Sequence, residues 1–274
     1  LARRSNKSRT GAPVAPVAPQ VQGVLSFTRP TEFVDLPTRG KLYPEGHPFH
    51  MVEEAEINYM TAKEEDILAS RALILRGEVL DRLLQSVLVD KDVDIGSLYP
   101  GDKNALLVAV RSTGYGPEYL SEIKCPSCNT QYEHAVDLTD LPIKEIPEDI
   151  NLMPGGTFTV ELPSTGFTAE LKILTSKEQK YLDETKASKA KNNLPESSLT
   201  DLLKMIIVSV NSVTNRTEIE KFINSMPALD SHRIRKVYSS VNPSLDMEQE
   251  IECPNCKHIV AREVPLGLNF FWPS

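Results

Sequence analysis

The sequence predicts an α+β protein in which one strand–helix–helix–helix–knuckle unit occurs twice, its two halves packed with a pseudo-twofold relation. Three observations lead there. The segment Met60-Thr61-Ala62-Lys63-Glu64-Glu65 returns as Leu174-Thr175-Ser176-Lys177-Glu178-Gln179. The spacing Leu80, Leu83, Leu84, Val87, Leu88 returns as Leu199, Leu202, Leu203, Ile206, Ile207. Glu122-Ile123-Lys124-Cys125-Pro126-Ser127-Cys128 returns as Glu250-Ile251-Glu252-Cys253-Pro254-Asn255-Cys256. Self-similarity in a fixed order decides the architecture before any single element does.

Residues 1–30 are expected to form an extended tail. They hold Arg3, Arg4, Lys7, Arg9 and Arg29 and no acid, and Pro13, Pro16 and Pro19 favour polyproline geometry. The net charge of −8 therefore divides into a basic tail and an acidic body. The first repeat is placed at 31–141 and the second at 142–266, with an aromatic tail at 267–274. Phe33-Val34-Asp35-Leu36-Pro37 leads into a turn-rich stretch, Gly40 to Pro48, expected to be irregular and available to partners. Ile57 and Tyr59, and more clearly Phe167, Ala169, Leu171 and Ile173, alternate as half-buried strands do. Thr61 and Thr175 each precede a Glu by three residues, the capping-box signature of a helix start. The Leu stripes then give a core-facing second helix. Asp102 and Asp230 are expected to cap a third helix in each half. The second copy is longer around Lys186–Ser198, which reads as a polar connection, and the join falls near Pro142–Gly156.

The four cysteines are the strongest chemical signal. Each Cys-Pro-x-Cys reads as a tight knuckle between short strands, and two knuckles supply the four thiolates of a closed structural zinc site. Cys128 and Cys253 are separated by 124 residues, so such a site closes only through tertiary folding. Cys125, Cys128, Cys253 and Cys256 are thus the expected ligands of one zinc per chain. The alternatives are one metal per knuckle completed by His134 and His258, a site shared between chains, or no metal. The two histidines follow their knuckles at unequal distances, which argues against two parallel local sites.

Other function classes have little support. Apolar runs such as Met205 to Val208 are far too short to span a bilayer, and the basic N-terminus lacks the apolar stretch of a secretory signal. The expectation is a soluble intracellular chain with reduced thiols. No phosphate-cradling glycine loop, His-Glu-x-x-His or Gly-x-Ser-x-Gly is present, so no enzyme is expected and no small-molecule substrate. The acidic body and mixed charges around the knuckles make a nucleic-acid partner the lesser reading, a zinc-ribbon regulator being its concrete form. Phe270, Phe271 and Trp272 close the chain. They are either an anchor for another subunit, as aromatic hot spots are, or a segment folded on its own core. With Arg3 and Arg4 they are the expected partner-binding residues.

Phe33 to Gly40 with Leu42-Tyr43-Pro44, Tyr59 to Leu68, Gly114 to Tyr119 and Lys124 to Cys128 resemble the hub-associated and hub-assembly proteins of T-even-type bacteriophage base plates. The resemblance is clearest over residues 32–140 and carries no catalytic motif. It implies a structural or assembly subunit of a contractile tail, sited in the virion near the central hub and bound to other tail proteins. A transient hub-assembly chaperone is the neighbouring expectation.

Overall fold

The computed structural model describes residues 28–271 apart from 145, 148–149, 193–194, 196 and 265. Strands β1 (Thr31–Asp35) and β2 (Glu54–Asn58) form an antiparallel hairpin, followed by helices α1 (Ala62–Ala69), α2 (Arg71–Arg76), α3 (Val79–Val87) and α4 (Pro100–Tyr115). A second hairpin, β3 (Glu118–Lys124) with β4 (Gln131–Asp137), ends this series. The later series runs β5 (Thr157–Glu161), β6 (Thr168–Lys172), α5 (Ser176–Lys191), α6 (Ser198–Ile206), β7 (Ile207–Val210), α7 (Arg216–Ser225) and α8 (Ala228–Val241). It closes on the hairpin of β8 (Glu248–Glu252) and β9 (Ile259–Glu263), then a short 3-10 turn, Leu268–Phe271. The protein is mixed α+β, with small antiparallel sheets rather than one large one.

Local chemistry explains the helix starts. The Thr61 N–H donates to the Glu64 carboxylate at 2.9 Å, and the Thr175 N–H to Glu178 at 3.0 Å, so both capping boxes form. Glu64 is fully buried and also accepts from Ser86 at 2.6 Å and from the Arg29 guanidinium at 2.8 Å. Burial alone would raise its pKa; the hydrogen bonds from Ser86 and Thr61 and the Arg29 charge outweigh it and hold the carboxyl below its ordinary value.

The stripes of α3 and α6 both end one residue earlier than the spacing predicts, and for the same reason. After α3 the chain straightens, so that Leu88 bridges Ile57 of β2. After α6 it straightens into β7, so that Ile207 pairs with Leu171 of β6. Both residues remain fully buried, now as strand residues at a sheet edge. The Lys186–Ser198 expectation also changes: α5 continues as helix to Lys191, exposed for most of its length.

Asp102 and Asp230 do not cap their helices. The N-cap positions are Tyr99 and Pro227, and the two aspartates lie in the first turn with side chains directed at a distant loop. Asp102 accepts from the Thr38 N–H at 2.9 Å, the Thr38 hydroxyl at 2.6 Å and the Tyr43 hydroxyl at 2.7 Å. Asp230 accepts from the N–H groups of Ser164 and Thr165 at 2.7 and 3.1 Å. In each series a buried carboxylate ties the loop after the first strand to the last long helix. Burial dominates at Asp102 and raises its pKa, whereas at Asp230 hydrogen bonds from Ser164 and Thr165 outweigh burial and lower it.

The turn-rich stretch is irregular as expected and partly turned inward, with Lys41, Pro44, Glu45 and Gly46 left exposed. Leu42, Tyr43 and Phe49 are buried, and the His47 ring stacks on Tyr43 at 4.3 Å. Gly40 has φ +67°, and a Cβ there would stand 2.3 Å from the Val52 nitrogen, so only glycine fits that turn. The core is continuous, running from Val34 through both series to Phe271.

Two outcomes follow. Asp102→Ala strands three buried donors and is expected to lower unfolding stability in urea by about 3 kcal/mol or more, with Asp102→Asn milder. The second concerns His47, whose Nδ1 accepts from the Phe49 N–H at 3.0 Å, which leaves Nε2 to donate to Ser97 at 2.8 Å. Burial lowers its pKa against the pull of Asp94 and Asp90, so the fold favours the neutral ring. A depressed histidine contributes stability that is fully present above its unfolded pKa of about 6.5 and is lost as pH falls through the folded value. The urea midpoint should therefore fall on acidification below about 6.5, with a shallower slope in His47→Gln.

Candidate metal centre

Each knuckle is built by an antiparallel hairpin whose register brings its own two cysteines to the tip. In β3–β4, Lys124 lies opposite Gln131; in β8–β9, Glu252 lies opposite Ile259. The Cys125 N–H donates to the Thr130 carbonyl at 2.9 Å, and the Asn129 N–H to the Cys125 carbonyl at 3.0 Å. The Cys253 N–H donates to the His258 carbonyl at 2.9 Å, and the Lys257 N–H to the Cys253 carbonyl at 3.0 Å. Asn129 and Lys257 close the two turns with φ of 57° and 60°.

The knuckles meet tip to tip. Cys125 Sγ is 3.6 Å from Cys256 Sγ, and Cys128 Sγ is 3.6 Å from Cys253 Sγ. All four sulfurs lie within 4.8 Å of one another. Exchanging the hairpins carries one short pair onto the other. A disulfide needs about 2.05 Å, so these are free thiols in contact. Four sulfurs at zinc–thiolate bond lengths of about 2.3 Å around a tetrahedral ion stand about 3.8 Å apart, close to the spacing seen here.

Electrostatics agree with that fit. Hydrogen bonds from the Thr130 hydroxyl and N–H pull the Cys128 thiol down to about 5. The Cys256 thiol is pushed up to about 11: a backbone hydrogen bond from His258 favours its thiolate, but desolvation and hydrogen bonds shared with the other three sulfurs outweigh it. Sulfurs this close shed all their protons only if a cation sits among them. Cys125 and Cys253 are fully buried, Cys128 is half-buried and Cys256 exposed, so the cluster is roofed on one side. The Asn255 amide reaches across to the Thr130 hydroxyl at 3.1 Å, linking the knuckles beside the sulfurs. His134 lies on β4 and His258 just before β9; neither belongs to the group of clustered ligand atoms. Four thiolates would hold a metal with no open position for water, so the chemistry on offer is structural.

The family described as T4 bacteriophage base plate protein matches residues 30–272, which takes in both series of elements and all four cysteines. The chain belongs to the T4 bacteriophage base plate protein family. No curated protein and no solved structure matches it. Among the described residues of this base plate protein, no helix is long and apolar enough to cross a membrane.

The expected partner-binding residues divide. Phe270 and Phe271 are each only 1% exposed, which corrects their assignment as an outward anchor. Phe270 packs on Tyr119 and Phe271, with ring centroids 5.0 and 5.5 Å apart. The Arg111 guanidinium of α4 donates to the Phe270 carbonyl at 2.9 Å and to the Gly116 carbonyl at 3.0 Å. Two adjacent rings left in water would forfeit a large burial gain, and the core of the base plate protein lies within reach. Arg3, Arg4 and Trp272 lie outside the described residues. Phe271→Ala is accordingly expected to cost about 3–5 kcal/mol in urea unfolding.

Proposed function

We propose that the chain is a structural subunit of a contractile-tailed phage base plate, placed at or near the hub, whose two halves are clasped by one structural zinc held by Cys125, Cys128, Cys253 and Cys256. The carrying observation is the meeting of both knuckles in one four-sulfur cluster, within a chain whose family is that of base plate proteins. Binding free energy at such a site is folding free energy, because the ligands are assembled only in the fold. The reading assigns no turnover: the chain recognises neighbouring tail proteins and holds shape, in the virion tail. Arg3, Arg4 and Trp272 remain proposed contacts of that kind.

The reading includes duplication of one ancestral unit, with repeats at 31–141 and 142–266 between the terminal segments 1–30 and 267–274. Its support is register. The bridge of Ile57 with Leu88 corresponds, residue for residue, to the pair of Leu171 with Ile207. Asp102 and Asp230 grip equivalent loops, and the short sulfur pairs interchange. The exchange relation is local to the knuckles, however. Gly101 of α4 is buried against the Pro243 carbonyl, while its counterpart on α8, Leu229, is 60% exposed.

Two measurements test the proposal. Elemental analysis of the purified chain should give about one zinc per chain, lost together with a large drop in unfolding temperature in Cys253→Ser; a value near two sinks the shared clasp. Purified tails should contain the chain in fixed proportion to the other base plate proteins. Its absence from finished tails would instead make it an assembly factor.

A further inference from the structure

The helix α8 presents an outer face that stays exposed among the described residues. His232, Arg233, Arg235 and Lys236 are all exposed there, beside Leu229. Among the described residues, none of these side chains takes part in an ion pair. Arg233 and Lys236, three residues apart, set like charges against each other along the helix, which is mildly unfavourable in isolation. The body that carries this face is otherwise acidic, with 25 basic residues against 38 acidic ones outside the tail.

The corresponding positions on α4 are Asn104, Ala105, Leu107 and Val108. Ala105, Leu107 and Val108 are buried, and the neighbouring Gly101 and Arg111 are covered by Pro243 and Phe270 from the later half. What α4 buries within the chain, α8 leaves open and basic.

A complementary surface exists on the other half. On the β1–β2 hairpin, Phe33 stands directly opposite Glu56 and Asp35 opposite Glu54, all on the face away from buried Val34, Ala55 and Ile57. Two carboxylates directly opposite one another repel. Phe33 is 63% exposed beside them, opposite Glu56, and none of the three acids takes part in an ion pair among the described residues. One surface is cationic with an exposed leucine; the other is anionic with an exposed phenylalanine. Within one chain they do not pair.

We propose that the α8 face of one copy docks on the outer face of the β1–β2 hairpin of a second copy, Arg233, Arg235 and Lys236 meeting Asp35, Glu54 and Glu56 around a contact of Leu229 with Phe33. Because the two surfaces differ, the contact is head-to-tail, and repetition gives a ring if the rotation closes and an open array if it does not. Charge pairing across such a contact fixes its register and makes it salt-sensitive. The docking does not rest on the metal clasp or on the base plate reading; only the comparison with α4 uses the repeat.

The test is sedimentation of the full metal-loaded chain at about 50 µM, in about 50 mM and about 500 mM NaCl. Species above the monomer mass of 30.5 kDa are expected at low salt, with apparent affinity falling about tenfold or more at high salt. The triple variant Arg233→Glu, Arg235→Glu, Lys236→Glu and the triple variant Asp35→Lys, Glu54→Lys, Glu56→Lys should each be monomeric, with circular dichroism melts matching the parent. Mixing the two should restore assembly, since each then meets an opposite charge. A parent chain that stays monomeric at low salt overturns the proposal, as does undiminished assembly of either variant. Retention of duplex DNA or anionic phosphatidylserine vesicles by a monomeric parent, lost in the α8 variant, overturns it in favour of those partners.

Discussion

Contact between two hairpin tips far apart in the chain is the constraint around which this molecule is organised. Each tip is a short antiparallel pair too small to be stable alone. It is held because its first strand follows a packed helix, α4 almost at once in one half and α8 after residues 242–247 in the other. The sulfurs therefore meet only when both helices are seated, and the seating of each helix depends on a buried carboxylate gripping a loop from its own half. Removing water from Asp102 is unfavourable unless its oxygens are occupied, and Thr38 and Tyr43 occupy them. The cluster thus reports on the correct folding of both series at once.

The same logic gives the linking segments a role. The stretch between the series runs alongside the segment after α8: Ile143 bridges Leu245, the Lys144 N–H donates to the Ser244 carbonyl at 2.8 Å, and the Asp246 N–H to the Pro142 carbonyl at 2.7 Å. Pro243 meanwhile presses on Gly101, where any side chain would collide with its carbonyl. The two halves are joined by backbone contact as well as by sulfur, and Phe270 and Phe271 close the remaining side of α4.

Much of this was legible in the sequence where the chemistry is local. Capping boxes and knuckles each depend on residues a few positions apart, and the chain places them as expected. The failures share a different cause. An acid in the first turn of a helix serves equally as a cap or as the acceptor for a distant loop, and nothing near Asp102 or Asp230 in the chain distinguishes the two. Leu88 and Ile207 continue a helical spacing yet belong to sheet edges, because pairing with Ile57 and Leu171 overrides local periodicity. Helix α2 went unforeseen for want of a buried stripe. The inward fold of Phe270 and Phe271 depended on a cleft beside Tyr119 that only the tertiary structure creates. The cysteines signalled a shared cluster because the same spacing is repeated within each knuckle, although the distance between knuckles carried no information.

A bridge across the sulfurs would change the topology of the polypeptide. The chain from Cys125 round to Cys253 would become a closed ring, with the first series entering it on one side and the C-terminal segment leaving beside the same point. Tension applied between the early residues and the last strand would then pass through the clasp and bypass α5 to α8 altogether. In a base plate, such a route would carry load across the subunit while leaving the faces of its second half undistorted.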